Sequence, residues 1–163
     1  MKTLYLVRHA KSSWDNLQLS DFERTLNDRG MESAPLMAER LKKKHIVPGI
    51  MVSSPAIRAI TTAGIFAGIL GYPEKAIVQN MDIYTGNTSD LLRIVRALPD
   101  SCQSAMLFGH NPVMTEFSNL LTGEHLENMV TCGVMRIDMG ESWKETGERT
   151  GKGVWYDYPK KKD

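Results

Sequence analysis

"LYLVRHAKSSW", residues 4–14, passes from four apolar residues straight into Arg8 and His9, then into small and hydroxyl-bearing residues. With Thr3 added, residues 3–8 read as a short strand buried on both faces, because apolar residues follow one another without polar alternation. A buried strand that ends on adjacent arginine and histidine is either emerging into solvent or delivering chemistry to the edge of a sheet. The rest of the chain decides between the two.

Residues 49–53 (GIMVS) and 104–109 (SAMLFG) repeat the pattern of a buried strand. Ser54-Pro55 opens a helix in the favoured manner, a capping hydroxyl before proline, and that helix runs to Leu70 and stops at Gly71. A helix over 112–121 follows His110-Asn111-Pro112. Between the first two strands, Asn27 is the expected N-cap of a helix reaching Lys44, with Met31, Leu36, Met37 and Leu41 on its apolar stripe. Gly30 and Pro35 weaken it locally, and Pro35 predicts a kink or a later start. A short strand over 76–78, a helix over 89–98 opened by Thr88 or Ser89, and strands over 133–139 and 153–158 complete the reading. Strands alternating with helices predict an α/β fold, a three-layer α/β/α sandwich around a mainly parallel sheet. Residues 1–163 read as a single domain, without repeats or linkers.

The composition narrows the function classes. Twenty basic against nineteen acidic residues leave a formal net charge of +1, too balanced for a nucleic-acid or anionic-membrane partner. The run Lys160-Lys161-Lys162 reads as a solvated tail, and Lys42-Lys43-Lys44 closes a helix at the negative end of its dipole. Cys102 and Cys132 are far apart without metal-type spacing, so reduced thiols in a cytoplasmic protein are expected. The apolar start is too short for a secretory leader, and no stretch reaches the roughly 20 apolar residues of a membrane span.

Open α/β sheets bind ligands at the carboxyl ends of their strands. There the first strand delivers Arg8-His9, the second Ser53-Ser54-Pro55 with Arg58 a turn further on, and 104–109 delivers His110-Asn111. Each alone is unremarkable, but together they bring two arginines and two histidines to one rim. Guanidinium forks suit the paired oxygens of phosphate and stay charged at physiological pH. A histidine between them can attack phosphorus. With arginines supplying the positive charge, the reading needs neither a metal nor another cofactor.

"LVRHAKSSW", "DFERTLNDRG", "VSSPAIRAITTA" and "LFGHNP" together resemble the histidine phosphatase superfamily, the phosphoglycerate mutase-like fold, whose hallmark is Arg-His-Gly or Arg-His-Ala after the first strand. The short length and the segment Arg24 to Gly30 resemble its SixA-type phosphohistidine phosphatases. That resemblance implies His9 as the nucleophile that becomes phosphohistidine, Arg8 and Arg58 as the grip on the phosphoryl oxygens, and His110 as the completing group. It places Arg24 near the pocket mouth and lets Ser12 donate to a phosphate oxygen. Arg24 could equally pair with Asp21 or Glu23, and Ser12 could simply shape a turn. Larger members carry a glutamic acid ahead of a Tyr-Gly pair, where this chain has Met81. Asp82 is the first candidate for the general acid, with Asp15 and Asp21 as rivals.

Other signals fall away. "GERTGKG" (147–153) has three residues between its glycines, where a phosphate loop has four, and lacks the metal-binding hydroxyl. Phe108 and Asp138 stand where a thiol phosphatase would need an arginine after Cys102 or Cys132. His45 and His125 lack zinc-ligand spacing. The expected protein is a monomeric phosphatase acting on phosphohistidine in a signalling protein. Its rivals are a phosphatase of small phosphate esters and a phosphate-binding module without turnover. Residues 122–163 carry no motif tied to this chemistry.

Overall fold

A computed structural model describes residues 1–161. Six strands, β1 (Thr3–Arg8), β2 (Ile50–Ser53), β3 (Val78–Gln79), β4 (Ser104–Gly109), β5 (Val134–Asp138) and β6 (Lys152–Asp157), form one sheet in the order β3-β2-β4-β1-β5-β6. β1, β2, β3 and β4 are mutually parallel, and β5 runs antiparallel to both β1 and β6. Five helices accompany the sheet: α1 (Asp28–Lys43), α2 (Ile57–Leu70), α3 (Met81–Thr85), α4 (Thr88–Arg96) and α5 (Val113–Thr122).

The two-residue period of a strand sends alternate side chains to opposite faces. On one face Tyr5, Val7, Met51, Met106, Phe108 and Val134 pack against Met37 and Leu41 of α1 and Phe66 and Leu70 of α2. On the other, Leu4, Leu6, Val52, Leu107 and Ile137 pack against Leu91 and Val95 of α4 and Phe117 and Leu121 of α5. Two cores on a central sheet make the α/β/α sandwich, and they explain why the strands carry no polar alternation.

Several boundaries differ from the sequence reading. α1 starts at Asp28, capped by Asn27, whose side chain accepts from the Gly30 amide, and it continues through Pro35, so no late start occurs. Its buried stripe is Gly30, Ala34, Met37, Ala38 and Leu41. Met31 and Leu36 face solvent. α2 begins at Ile57, with Ala56 rather than Ser54 at its cap position. α4 is capped by Asn87 in a reciprocal box with Asp90, one residue ahead of Thr88 and two ahead of Ser89, the expected hydroxyls. The strand expected over 76–78 is Val78–Gln79, because Glu74–Ala76 closes into a 3-10 turn. α3 was not foreseen. Among the described residues no helix is long and apolar enough to cross a membrane. Of the basic tail, Lys162 lies outside the described residues.

Candidate active site

Parallel register brings the strand ends level. Arg8 pairs with Gly109 across β1 and β4, and Ser53 pairs with Phe108 across β2 and β4. The residues that follow, His9, Ser54 and His110, therefore share one rim. Backbone bonds fix the loops there: the His9 amide donates to the Gly109 carbonyl at 3.0 Å and the Ser54 amide to the Phe108 carbonyl at 3.0 Å. Thr62 of α2 ties the layers together. Its hydroxyl accepts from the Ala10 amide at 3.0 Å and donates to the Arg58 carbonyl at 2.7 Å.

A cleft of about 850 Å³ opens over this rim. Arg8, His9, Ser12, Arg24, Arg58 and His110 all line it, so six of the seven expected site residues meet. The seventh, Asp82, sits exposed in the first turn of α3 and is not among the lining residues. The carboxylates that do line the cleft are Asp15 and Asp21.

His9 is buried, and its Nδ1 lies 2.7 Å from the Ala10 carbonyl. A carbonyl only accepts, so Nδ1 must carry the proton and Nε2 keeps a free lone pair. Burial, together with the positive fields of Arg58, Arg8 and Arg24, lowers the pKa of His9 to about 4. It is thus a neutral imidazole at physiological pH. The ring of His110 stands 5.1 Å away, centroid to centroid. Burial, followed by the neighbouring His9 ring and the Arg58 charge, lowers its pKa to about 3. Its Nε2 lies 2.8 Å from the Ser54 hydroxyl, while its Nδ1 is buried without a partner among the described residues. Ser54 therefore contacts the second histidine, and its oxygen also accepts from the Ala56 amide at 3.2 Å.

Asp21 is the hub of the cationic side. Its Oδ1 accepts from Arg24 Nε and Nη2 at 3.2 and 3.1 Å. Its Oδ2 accepts from Arg58 at 3.0 Å and from the Tyr84 hydroxyl at 2.7 Å. The Tyr84 hydrogen bond first, then Arg58 and Arg24, hold the carboxyl down at about 2, so it is ionised. Both readings of Arg24 hold together, since it pairs with Asp21, lines the cleft, and donates to Ser12 at 2.6 Å. Glu23 instead binds Ser20. Trp14 lies flat against the Arg24 guanidinium, 3.6 Å from ring centroid to Cζ, a cation–π contact.

Tyr84 and Trp14 were missed as site residues. Tyr84 stands two residues after Asp82, where the sequence marks only a candidate acid, and it packs edge-on against both His110 and Phe22. The C-terminal third also takes part. Arg8 donates to the Met129 carbonyl at 2.9 Å, Asn111 donates to the same carbonyl at 2.7 Å, and the Cys132 amide reaches the carbonyls of Arg8 and His9. Cys132 itself is buried, which pushes its thiol up to about 12 and leaves it unreactive.

Residues 4–91 match the model of the histidine phosphatase superfamily (branch 1). An uncharacterised chloroplastic protein of Arabidopsis thaliana is 30% identical over 164 residues, covering 94% of this chain and 74% of that protein. Among solved structures, a candidate phosphohistidine phosphatase SixA from Agrobacterium tumefaciens superposes with a TM-score of 0.83 at 26% identity, over 97% of this chain and 98% of that one. A protein histidine phosphatase SixA in complex with tungstate gives a TM-score of 0.84 at 22% identity, over 96% and 97% of the two chains, a likeness of fold.

Proposed function

Since the chain belongs to the histidine phosphatase superfamily and is a phosphatase, we propose that its substrate is phosphohistidine on a signalling protein and that turnover passes through a phosphohistidine at His9. The carrying observation is the state of His9: Nδ1–H fixed on the Ala10 carbonyl, ring neutral, beside a cleft lined with arginines. A neutral imidazole with an oriented lone pair needs no base to activate it.

In the first step His9 Nε2 forms a bond to phosphorus while the substrate's P–N bond breaks and its electron pair returns to the leaving imidazole. Arg8 and Arg58 spread the charge of the transferring group, and His110 Nδ1 supplies a further donor once Ser54 donates to its Nε2. In the second step water attacks the phosphorus, the electron pair returns to Nε2, and inorganic phosphate leaves with the water's protons. The leaving imidazole can be protonated on its other nitrogen near neutral pH, so it departs without help from an enzyme acid. That suits a cleft whose best-anchored carboxylate, Asp21, is ionised. An alkoxide leaving group would need a proton, and Asp15 is the remaining lining carboxylate that could bring one.

Brief incubation with phosphoramidate, followed by an acid quench, is expected to show an acid-labile phosphoryl group on the wild-type protein. His9→Ala should abolish that label and lower turnover by more than about a thousandfold. Turnover that survives in His9→Ala rejects the mechanism. Equal kcat/KM for alkyl phosphates and a phosphohistidine peptide rejects the substrate assignment.

A further inference from the structure

A second concavity of about 260 Å³ adjoins the catalytic cleft, and the two share Lys11 and Thr131 in their walls. Three cations line it, Lys11, Arg29 and Lys160, and among the described residues no carboxylate does. None of the three makes a salt bridge among the described residues, whereas Arg24 and Arg58 in the neighbouring cleft are both paired with Asp21. In a chain of twenty basic and nineteen acidic residues, such an uncompensated cluster beside the active site marks a surface of complementary charge. The remaining walls are Ser33, Thr131, Val130, Tyr158 and Pro159, with Val130 solvent-exposed.

We propose that this bay docks a carboxylate-bearing stretch of the phosphorylated protein, holding acidic side chains beside the phosphohistidine while the phosphoryl group enters the cleft. The inference rests on the reading of the substrate as a protein-borne phosphohistidine. Its chemistry favours carboxylates on a polypeptide over a second phosphate. The cations are long, exposed side chains around an apolar floor, which fits acidic residues interspersed with apolar ones. A phosphate subsite would be built instead from fixed guanidinium forks and buried donors, as the cleft itself is. Lys11, common to both cavities, places the docked carboxylates next to the reacting group.

The test compares two phosphohistidine peptides of equal length, one flanked by glutamates and one by glutamines, with phosphoramidate as the small substrate. At low ionic strength the wild-type protein should favour the glutamate peptide about fivefold or more in kcat/KM, a preference that shrinks as salt screens it. The double variant Arg29→Glu, Lys160→Glu should lose or invert that preference while hydrolysing phosphoramidate at the wild-type rate. Arg29→Gln, Lys160→Gln should fall between the two, and it replaces the reversal should that variant misfold. Equal rates on the two peptides with wild-type protein, or a preference that survives both variants, overturns the proposal. So does a small bisphosphate ester that alone becomes a poor substrate in the variants, since the bay would then be a second phosphate subsite. Wild-type protein inert toward phosphoramidate and both peptides would instead reject the phosphohistidine reading itself.

Discussion

Asp21 carries more of the site's electrostatics than its sequence context suggests. It engages Arg24, Arg58 and Tyr84 at once and stays ionised between the two guanidinium groups. A fixed carboxylate there competes with the phosphoryl anion for the same donors and lowers the affinity of the product. Asp21→Asn keeps the size and an acceptor for Tyr84 but removes the charge. Inorganic phosphate is expected to inhibit that variant more strongly, with Ki lower by about two- to fivefold, the range for a partly exposed charge pair. An unchanged or higher Ki means that Asp21 serves mainly to hold Arg58 in place. Ser54 gives the complementary lesson, because its Ser-Pro context reads as a helix cap while its hydroxyl sits on His110.

At the scale of elements, the loop after β1 is held against the start of α1 by a close backbone approach. A Cβ built on Gly30 would lie 2.2 Å from the Lys11 carbonyl oxygen, backbone that cannot swing aside. Gly68, on the exposed side of α2, has nothing within 4 Å. The same substitution should therefore act in opposite directions. Gly30→Ala should destabilise by about 1–3 kcal/mol and lower kcat/KM by displacing Lys11 and Ser12. Gly68→Ala should stabilise by about 0.5–1 kcal/mol through helix propensity and a less flexible unfolded chain. Paired thermal melts with kinetics check both, and a stabilised Gly30→Ala would show that the loop yields freely. Thr62 works at the same scale, since one hydroxyl links the amide of Ala10 to the first turn of α2.

For the whole molecule, holding two histidines neutral has a consequence in pH. Their ordinary pKa is 6.5, and the folded protein lowers it to about 4 for His9 and about 3 for His110. Below pH 6.5 the unfolded chain takes up protons that the folded one refuses, so stability is full above that value and falls as the pH drops toward 4 for His9 and toward 3 for His110. Each histidine costs on the order of 2 kcal/mol by pH 5. Asp21 acts lower, its contribution being lost between 3.8 and about 2. Urea midpoints should fall between pH 7 and 5, and His110→Asn should flatten that slope. An equally steep slope in the variant would place the proton uptake elsewhere.

Sequence alone determined the layers and the rim. Runs such as Leu4–Val7 and Ala105–Phe108 are apolar on both sides of a period-two backbone, which only a sheet covered on both faces can bury. A parallel sheet then sends the residues after its strands to one edge, so Arg8, His9, Arg58 and His110 were legible as a group. Tertiary structure alone decided the contacts among segments without local periodicity. Asp21, Tyr84 and Trp14 lie in loops or a five-residue helix, and Met129 and Cys132 reach the site from the loop leading into β5, beside β1. The pairing of Asp21 with Arg58 and Tyr84 depends on distances of about 3 Å between segments far apart in the chain, whose approach is set by packing, and packing is not encoded in any local pattern.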